Sequence, residues 1–175
     1  MNAGTAPPGF TEFVSARYPA LVRYGTLLTG DLGHGEDLTQ DALVKTYRGW
    51  QRLGFPAGGD PEAYTRQVMA RAAWRAGRRM WRRELPAAAP PDRAAAGNAY
   101  DRHDTAEVVL AALRELPPGQ RVVLVLRYWA GLSEQEIAAQ LGCSTGTVKS
   151  RASRAIATMR RTVTLTDAFT LTETT

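Results

Sequence analysis

Residues 132–154 constrain this chain more tightly than any other stretch. They read Leu-Ser-Glu-Gln-Glu-Ile-Ala-Ala-Gln-Leu-Gly-Cys-Ser-Thr-Gly-Thr-Val-Lys-Ser-Arg-Ala-Ser-Arg. Ser133 with Glu136 three residues on is a capping box, which predicts a helix start. Ile137 and Leu141 supply that helix with an apolar side, and Ala138 is small enough for a second helix to cross closely. Gly142 provides the positive φ that ends it, and Ser144 caps the next helix. Val148, Ala152, Ala155, Ile156 and Met159 then recur at offsets of 4, 7, 8 and 11, a single apolar stripe. The spacing predicts a helix-turn-helix.

The outer face of the second helix carries Thr147, Ser150, Arg154 and Arg161, flanked by Lys149 and Arg151, and no acid occurs between Thr145 and Arg161. A solvated helical hairpin would not need one sign of charge throughout. A capped, wholly basic, hydroxyl-rich helix suits the major groove, where Arg and Lys reach guanine edges and phosphates. Over the whole chain the net charge is +5, which favours a polyanionic partner. Arg greatly outnumbers Lys, as phosphate and base recognition prefer. The single cysteine, Cys143, excludes an internal disulfide and a Cys-rich zinc site, and its place in the turn predicts a small, partly buried residue. His34 and His103 lack ligand spacing, so neither a metal nor any other cofactor is expected. Neither a basic-then-apolar leader nor a long apolar run is present, so the expectation is a cytosolic protein without membrane insertion.

Taken in order, residues 1–9 are small and Pro-rich and read as a loose arm. Phe10, Phe13, Val14, Leu21, Tyr24 and Leu28 begin an amphipathic helix, which Pro19 should bend or restart. Thr29-Gly30-Asp31 closes it. From Asp31 to Trp50 a second helix has two faces. Leu38, Ala42, Leu43, Thr46 and Trp50 point one way; Asp37, Asp41, Val44 and Arg48 point the other. Acids early and bases late complement the helix dipole, so that stripe reads equally well as a solvated face or as a docking surface. After a loop at residues 53–59, Asp60 caps a third helix with Pro61 at its first position. Tyr64, Val68, Ala72, Ala73, Ala76 and Met80 are its expected buried side. Arg71, Trp74, Arg75, Arg78 and Arg82 fall on another side, with Arg79 and Arg83 beside them. Arginines around an indole suit a single-stranded nucleic acid groove; Trp74 and Trp81 could equally pack against the first two helices. Residues 85–104 have no period and read as a mobile linker. Thr105 caps a fourth helix, and the run Val122-Val123-Leu124-Val125-Leu126 reads as a buried helix despite its strand-like propensity. Residues 162–175 read as a frayed tail.

Three stretches, in this order, resemble a bacterial sigma factor of the extracytoplasmic-function (group 4) type, in its short actinobacterial SigE-like subgroup. They are Leu28-Thr29-Gly30-Asp31 with Glu36-Asp37-Leu38-Thr39-Gln40-Asp41-Ala42; Pro61-Glu62-Ala63-Tyr64 running on to Arg83; and Leu116-Pro117-Pro118-Gly119-Gln120-Arg121 through Arg154. The resemblance implies an all-α chain without catalytic chemistry. An N-terminal domain (1–84) would bind core polymerase and the −10 element, a linker would span 85–104, a C-terminal domain (105–161) would bind the −35 element, and a tail would follow at 162–175. It implies core contacts by Asp37, Gln40 and Asp41, with Val44 and Arg48 on the same face, docked on the clamp coiled coil of the β′ subunit. The −10 residues implied are Tyr64, Arg71, Trp74, Arg75, Arg78 and Arg79. The −35 residues implied are Ser144, Thr145, Thr147, Lys149, Ser150, Arg151 and Arg154. Partners implied are core RNA polymerase through its β′ clamp and β flap, promoter DNA, and an anti-sigma factor as a further candidate, in the bacterial cytoplasm at the nucleoid. Many relatives carry Asn where Arg71 falls, which implies either a different −10 preference or a different register for this helix. The competing reading is a stand-alone helix-turn-helix regulator that binds duplex operator DNA as a dimer.

Overall fold

The computed structural model describes the backbone of residues 6–83 and 105–172, and the side chains of residues 6–79 and 108–161. The expected linker lies outside the described residues, as does the side chain of Trp81. Seven helices, and no strand among the described residues, make up the fold: α1 (Phe10–Thr29), α2 (Leu32–Gly49), α3 (Pro61–Arg83), α4 (Thr105–Arg114), α5 (Pro118–Tyr128), α6 (Glu134–Leu141) and α7 (Thr145–Thr172).

Helices α1 and α2 form a hairpin whose closeness depends on two glycines. A Cβ placed on Gly25 would lie 2.4 Å from the Gly35 carbonyl oxygen, and one on Gly35 would lie 2.5 Å from the Thr26 nitrogen. The backbones therefore touch directly, and the Thr39 hydroxyl, wholly buried, donates to the Gly35 carbonyl at 2.8 Å and lies 3.3 Å from that of Leu21. Asp31 caps α2 by accepting from the His34 amide at 2.8 Å. Pro19 neither ends nor restarts α1. Its missing N–H frees only the Ser15 carbonyl, and both residues are exposed, so water can take that bond.

Trp50, 1% exposed, anchors the far end of the hairpin. The rings of Phe10, Phe13 and Phe55 surround it at 5.1, 5.5 and 5.4 Å between centroids, and its indole N–H donates to the Pro8 carbonyl at 3.0 Å. Part of the expected loose arm, residues 6–9, is thereby tied down. Helix α3 joins through the Thr46 and Thr65 hydroxyls, 2.9 Å apart and both buried.

The stretch 122–126 is helical and every one of its residues is buried. Helix α5 packs against α1, α3, α6 and α7, so an apolar run on all sides is what its surroundings require. One core runs from Leu21 of α1 through Trp74 of α3 to Ala155 of α7; the two helical units share it. At the seam lies Arg121, 7% exposed. Its guanidinium donates to the carbonyls of Leu113 (2.8 Å), Leu116 (2.9 Å) and Arg114 (3.1 Å) at the end of α4, and to that of Thr29 at the end of α1. Arg114 adds a bond to the Gly30 carbonyl at 2.8 Å. Helix C-termini carry partial negative charge and unpaired carbonyls, so one buried cation satisfies two of them. Burial lowers the Arg121 pKa, and the group stays charged because those carbonyls replace its water.

Helix α7 also continues to Thr172, past the point where a frayed tail was expected. Extending a formed helix adds one hydrogen bond per residue fixed, whereas only the first turn is costly.

Arg121→Met should lower the unfolding free energy by about 4 kcal/mol, because carbonyls of two helix ends lose their donor. Arg121→Lys should recover only part, lacking the planar fork. Urea denaturation followed by circular dichroism measures both.

Candidate nucleic-acid and partner interfaces

The helix-turn-helix is built from local bonds. The Ser133 hydroxyl accepts from the Glu136 amide at 3.3 Å, while the Glu136 carboxylate accepts from the Ser133 amide at 2.8 Å and hydroxyl at 2.6 Å. These bonds hold the Glu136 pKa below its ordinary value. Gly142, at φ 65°, ends α6 with its amide donating to the Ala138 carbonyl. Ser144 accepts from the Thr147 amide at 3.1 Å to start α7. Glu134 joins three helices by pairing with Arg127 of α5 and, at 3.7 Å, with Lys149 of α7. Val148, Ala152 and Ala155 are buried, with Ile156 and Met159 half-buried beside them. On the outside Ser144, Thr145, Lys149, Arg154 and Arg161 are exposed, and Thr147 and Ser150 are half-buried. Cys143 is half-buried, and burial raises its thiol pKa.

Arg151 departs from this face. Its guanidinium sits 4.5 Å from the ring centroid of Trp74 in α3, and burial lowers its pKa; Cys143 opposes that shift, whereas Arg154 and Arg78 add to it. Trp74 is 3% exposed, and its indole N–H is buried without a hydrogen-bond partner among the described residues. The ring is packed and offers no face to a base in this arrangement. The buried side of α3 is Thr65, Met69, Ala70 and Trp74. The expected side was rotated: Tyr64, Val68, Ala72 and Ala73 are half-buried, Ala76 is exposed, and the Met80 side chain is outside the described residues. The reason is tertiary, since α5 and α6 cover the flank that carries Trp74.

Arg71, Arg75, Arg78 and Arg79 remain exposed. Arg71 reaches across to donate to the Gln140 carbonyl of α6 at 2.8 Å. Tyr64 is held edge-on to Phe55, 5.7 Å between centroids, beneath the turn that precedes α3. On α2, Asp37, Gln40, Asp41, Val44 and Arg48 are all exposed on one face. Asp37 and Asp41 have no ion-pair partner among the described residues. Leu32 and Tyr47, which periodicity did not single out, are 57% and 39% exposed on other sides of α2, and Val44 is 48% exposed between Asp41 and Arg48. Such apolar exposure within an acidic face is what a solvated helix avoids and a docking face uses.

Sequence reasoning also missed a stack at the seam. Tyr24 of α1 and Trp129 lie 4.8 Å apart at 23°, with the Arg66 guanidinium 4.8 Å over the Trp129 ring. Glu62 holds Arg66 and, at 3.1 Å, Arg17. Burial pushes the Tyr24 hydroxyl above its ordinary pKa. An apolar groove of about 410 Å³ opens beside this stack, lined by Leu27, Val109, Leu124, Trp129, Ile156 and Met159 among others. Among the described residues no helix is long and apolar enough to cross a membrane, and no group of three His, Cys, Asp or Glu could hold a metal ion.

Two family models match the chain, Sigma-70 region 2 over residues 13–83 and Sigma-70, region 4 over residues 106–159. The chain is 39% identical over 153 residues to the RNA polymerase sigma-E factor of Streptomyces avermitilis, covering 86% of this chain and 83% of that protein. It is 31% identical over 146 residues to the ECF RNA polymerase sigma factor EcfG of Rhodopseudomonas palustris, covering 81% and 78%. Among solved structures the fold resembles the sigma factor RpoE of Bartonella quintana, crystallised with the anti-sigma factor NepR. The TM-score is 0.59 and the identity 24%, with 90% of this chain and 98% of that one covered.

A lowered Glu136 pKa means that the capping box contributes stability above the ordinary glutamate value, about 4.3, and loses it as pH falls through the lowered value. Glu136→Gln keeps an acceptor but not the titration. Melting temperatures of the two proteins should therefore differ at neutral pH and converge in acid; a constant gap from pH 7 to about 3 would show that the carboxylate charge contributes nothing.

Proposed function

The chain belongs to the sigma-70 family of RNA polymerase sigma factors, in its extracytoplasmic-function group, and from that premise we propose how its surfaces divide the work of starting transcription. Residues 1–84 dock on core polymerase and hold the −10 element, and residues 105–161 bind the −35 element, with 85–104 as the linker and 162–175 as a tail. Asp37, Gln40 and Asp41 pair with basic groups of the β′ clamp, while Val44 and Arg48 complete that contact. Tyr64 and the exposed Arg71, Arg75, Arg78 and Arg79 hold the opened −10 strand by neutralising phosphate. Trp74 can join them only if the cover over α3 moves away. Ser144, Thr145, Thr147, Lys149, Ser150 and Arg154 face −35 duplex DNA, and Arg151 joins them once released from Trp74. The apolar groove beside Trp129 receives the β flap. The chain contributes no catalytic step of its own and works in the bacterial cytoplasm at the nucleoid; an anti-sigma factor is a further partner on this reading.

One observation carries this reading above all. The same chain has a basic helix-turn-helix and, on a separate helix, an acidic face with Val44 exposed in its midst. A stand-alone regulator needs the first and has no use for the second. A purified chain should capture core polymerase and direct run-off transcription from new start sites on a genomic library. Failure to capture polymerase, with tight duplex binding as a dimer, would favour the regulator instead.

Arg154→Ala and Lys149→Ala should each weaken binding of the −35 duplex and reduce its salt dependence by about one phosphate contact. Asp41→Ala should weaken core binding and leave DNA affinity unchanged. Fluorescence anisotropy and polymerase titration separate the two effects, and equal loss of DNA affinity in all three variants would refute the division.

A further inference from the structure

Between Arg121 and Arg161 the sequence holds two acids, Glu134 and Glu136, in a stretch otherwise basic or neutral. Glu136 is accounted for by the capping box. Glu134 also lies in the first turn of α6, where an acid favours the helix dipole, but its carboxylate is turned to two cations on other helices. It accepts from Nη1 of Arg127 on α5 and lies 3.7 Å from Nζ of Lys149 on α7. All three side chains line one groove of about 440 Å³, with Ser153 and Arg160 further along α7. We propose that Glu134 is a positioning residue that sets the specificity of the −35 reader: it holds Lys149 and Arg127 back from indiscriminate phosphate contact and presets Lys149 for a base edge. The proposal rests on α7 being the −35 reader.

Lys149 lies in the second turn of α7, towards the N-terminal end from which a recognition helix reaches base edges. A lysine is a compact charge on a flexible stem, and left to itself it meets any phosphate equally well. Such contacts raise affinity for every sequence and carry no sequence information. Glu134 acts on that balance in two ways. Its carboxylate competes with phosphate for both cations, and a complex held by phosphate contacts alone has nothing to replace what it loses. It also narrows the positions open to the Lys149 ammonium, so a base acceptor at the right place meets a side chain with less freedom left to lose. Glu134 therefore weakens binding to wrong sequences more than to the right one, which is discrimination by a built-in repulsion. The two cations are held unequally. Arg127 is half-buried, and its bond to Glu134 raises its pKa. Lys149 is exposed, and its ion pair is longer than a hydrogen bond. Arg127 thus anchors the carboxylate, and Lys149 is the cation able to leave it for a base.

Holoenzyme carrying full-length Glu134→Gln tests this on paired run-off templates, one with the −35 element found by run-off mapping and one with a single base pair of it changed. The unaltered holoenzyme should prefer the matched template. In the variant that preference should fall about fivefold, the scale of one partly exposed ion pair, through a gain on the mismatched template rather than a loss on the matched one. Binding to the mismatched template should also become steeper in salt by about one phosphate contact. Glu134→Asp, which keeps the charge, should restore most of the preference. In a Lys149→Ala background Glu134→Gln should change the preference by less than about twofold, because it acts through that side chain. A preference unmoved by Glu134→Gln would overturn the proposal. So would equal losses on both templates, the mark of a merely structural acid, or an undiminished fall in the Lys149→Ala background. Should Glu134→Gln fail to fold by circular dichroism, Glu134→Ala, favourable in a helix, carries the same expectations. An unaltered holoenzyme indifferent to the −35 change would instead bring down the assignment of α7, and the role of Glu134 with it.

Discussion

A buried guanidinium closing two helix ends is the interaction on which this structure depends. Arg121 enters from the first turn of α5 and satisfies carbonyls at the C-termini of α4 and α1. The last turn of α1 has no basic side chain of its own, and the one at the end of α4, Arg114, reaches across to the Gly30 carbonyl. Without the cation, two negative helix poles would face each other in a dry seam, where unpaired carbonyls are costly. With it, the seam becomes the place where the two helical units meet, and α5 becomes the central rod of a shared core. Apolar burial holds the units together; Arg121 fixes where they meet.

That seam also explains why the same residue types carry different roles. Arg151 and Arg154 lie three positions apart on α7, yet one lies against an indole and the other stands in solvent. Trp74 and Trp129 are both at the seam, one 3% exposed and one 42%. Charge and ring chemistry alone do not separate these cases. What separates them is the second helix that each one meets.

The parts legible in the sequence are those set by neighbours within a few positions. The Ser133–Glu136 box, the Gly142 turn and the Asp31 and Asp60 caps are short-range bonds, and the structure has each of them. The exposed acidic face of α2 was legible because its two stripes are chemically distinct. The buried side of α3 was not. Alanines, arginines and tryptophans surround that helix so evenly that period 3.6 fits more than one face, and the choice falls to α5 and α6, some forty or more residues away in the chain. The glycine crossing at Gly25 and Gly35 left no periodic signal, because a contact made by missing side chains has none. At Pro19 and in the extension of α7, breaker and propensity arguments met backbones that solvent or propagation could satisfy.

The glycine crossing has a mechanical consequence. Where α1 and α2 touch backbone to backbone, no side chain lies between them to rotate or yield. The hairpin behaves as a stiff strut, with the acidic face of α2 along one flank and the Thr29 carbonyl, seat of Arg121, at one end. A partner that grips α2 cannot shift it without carrying α1 along. The grip and the seat of Arg121 are thus on one rigid piece, and a load applied at the first arrives at the second.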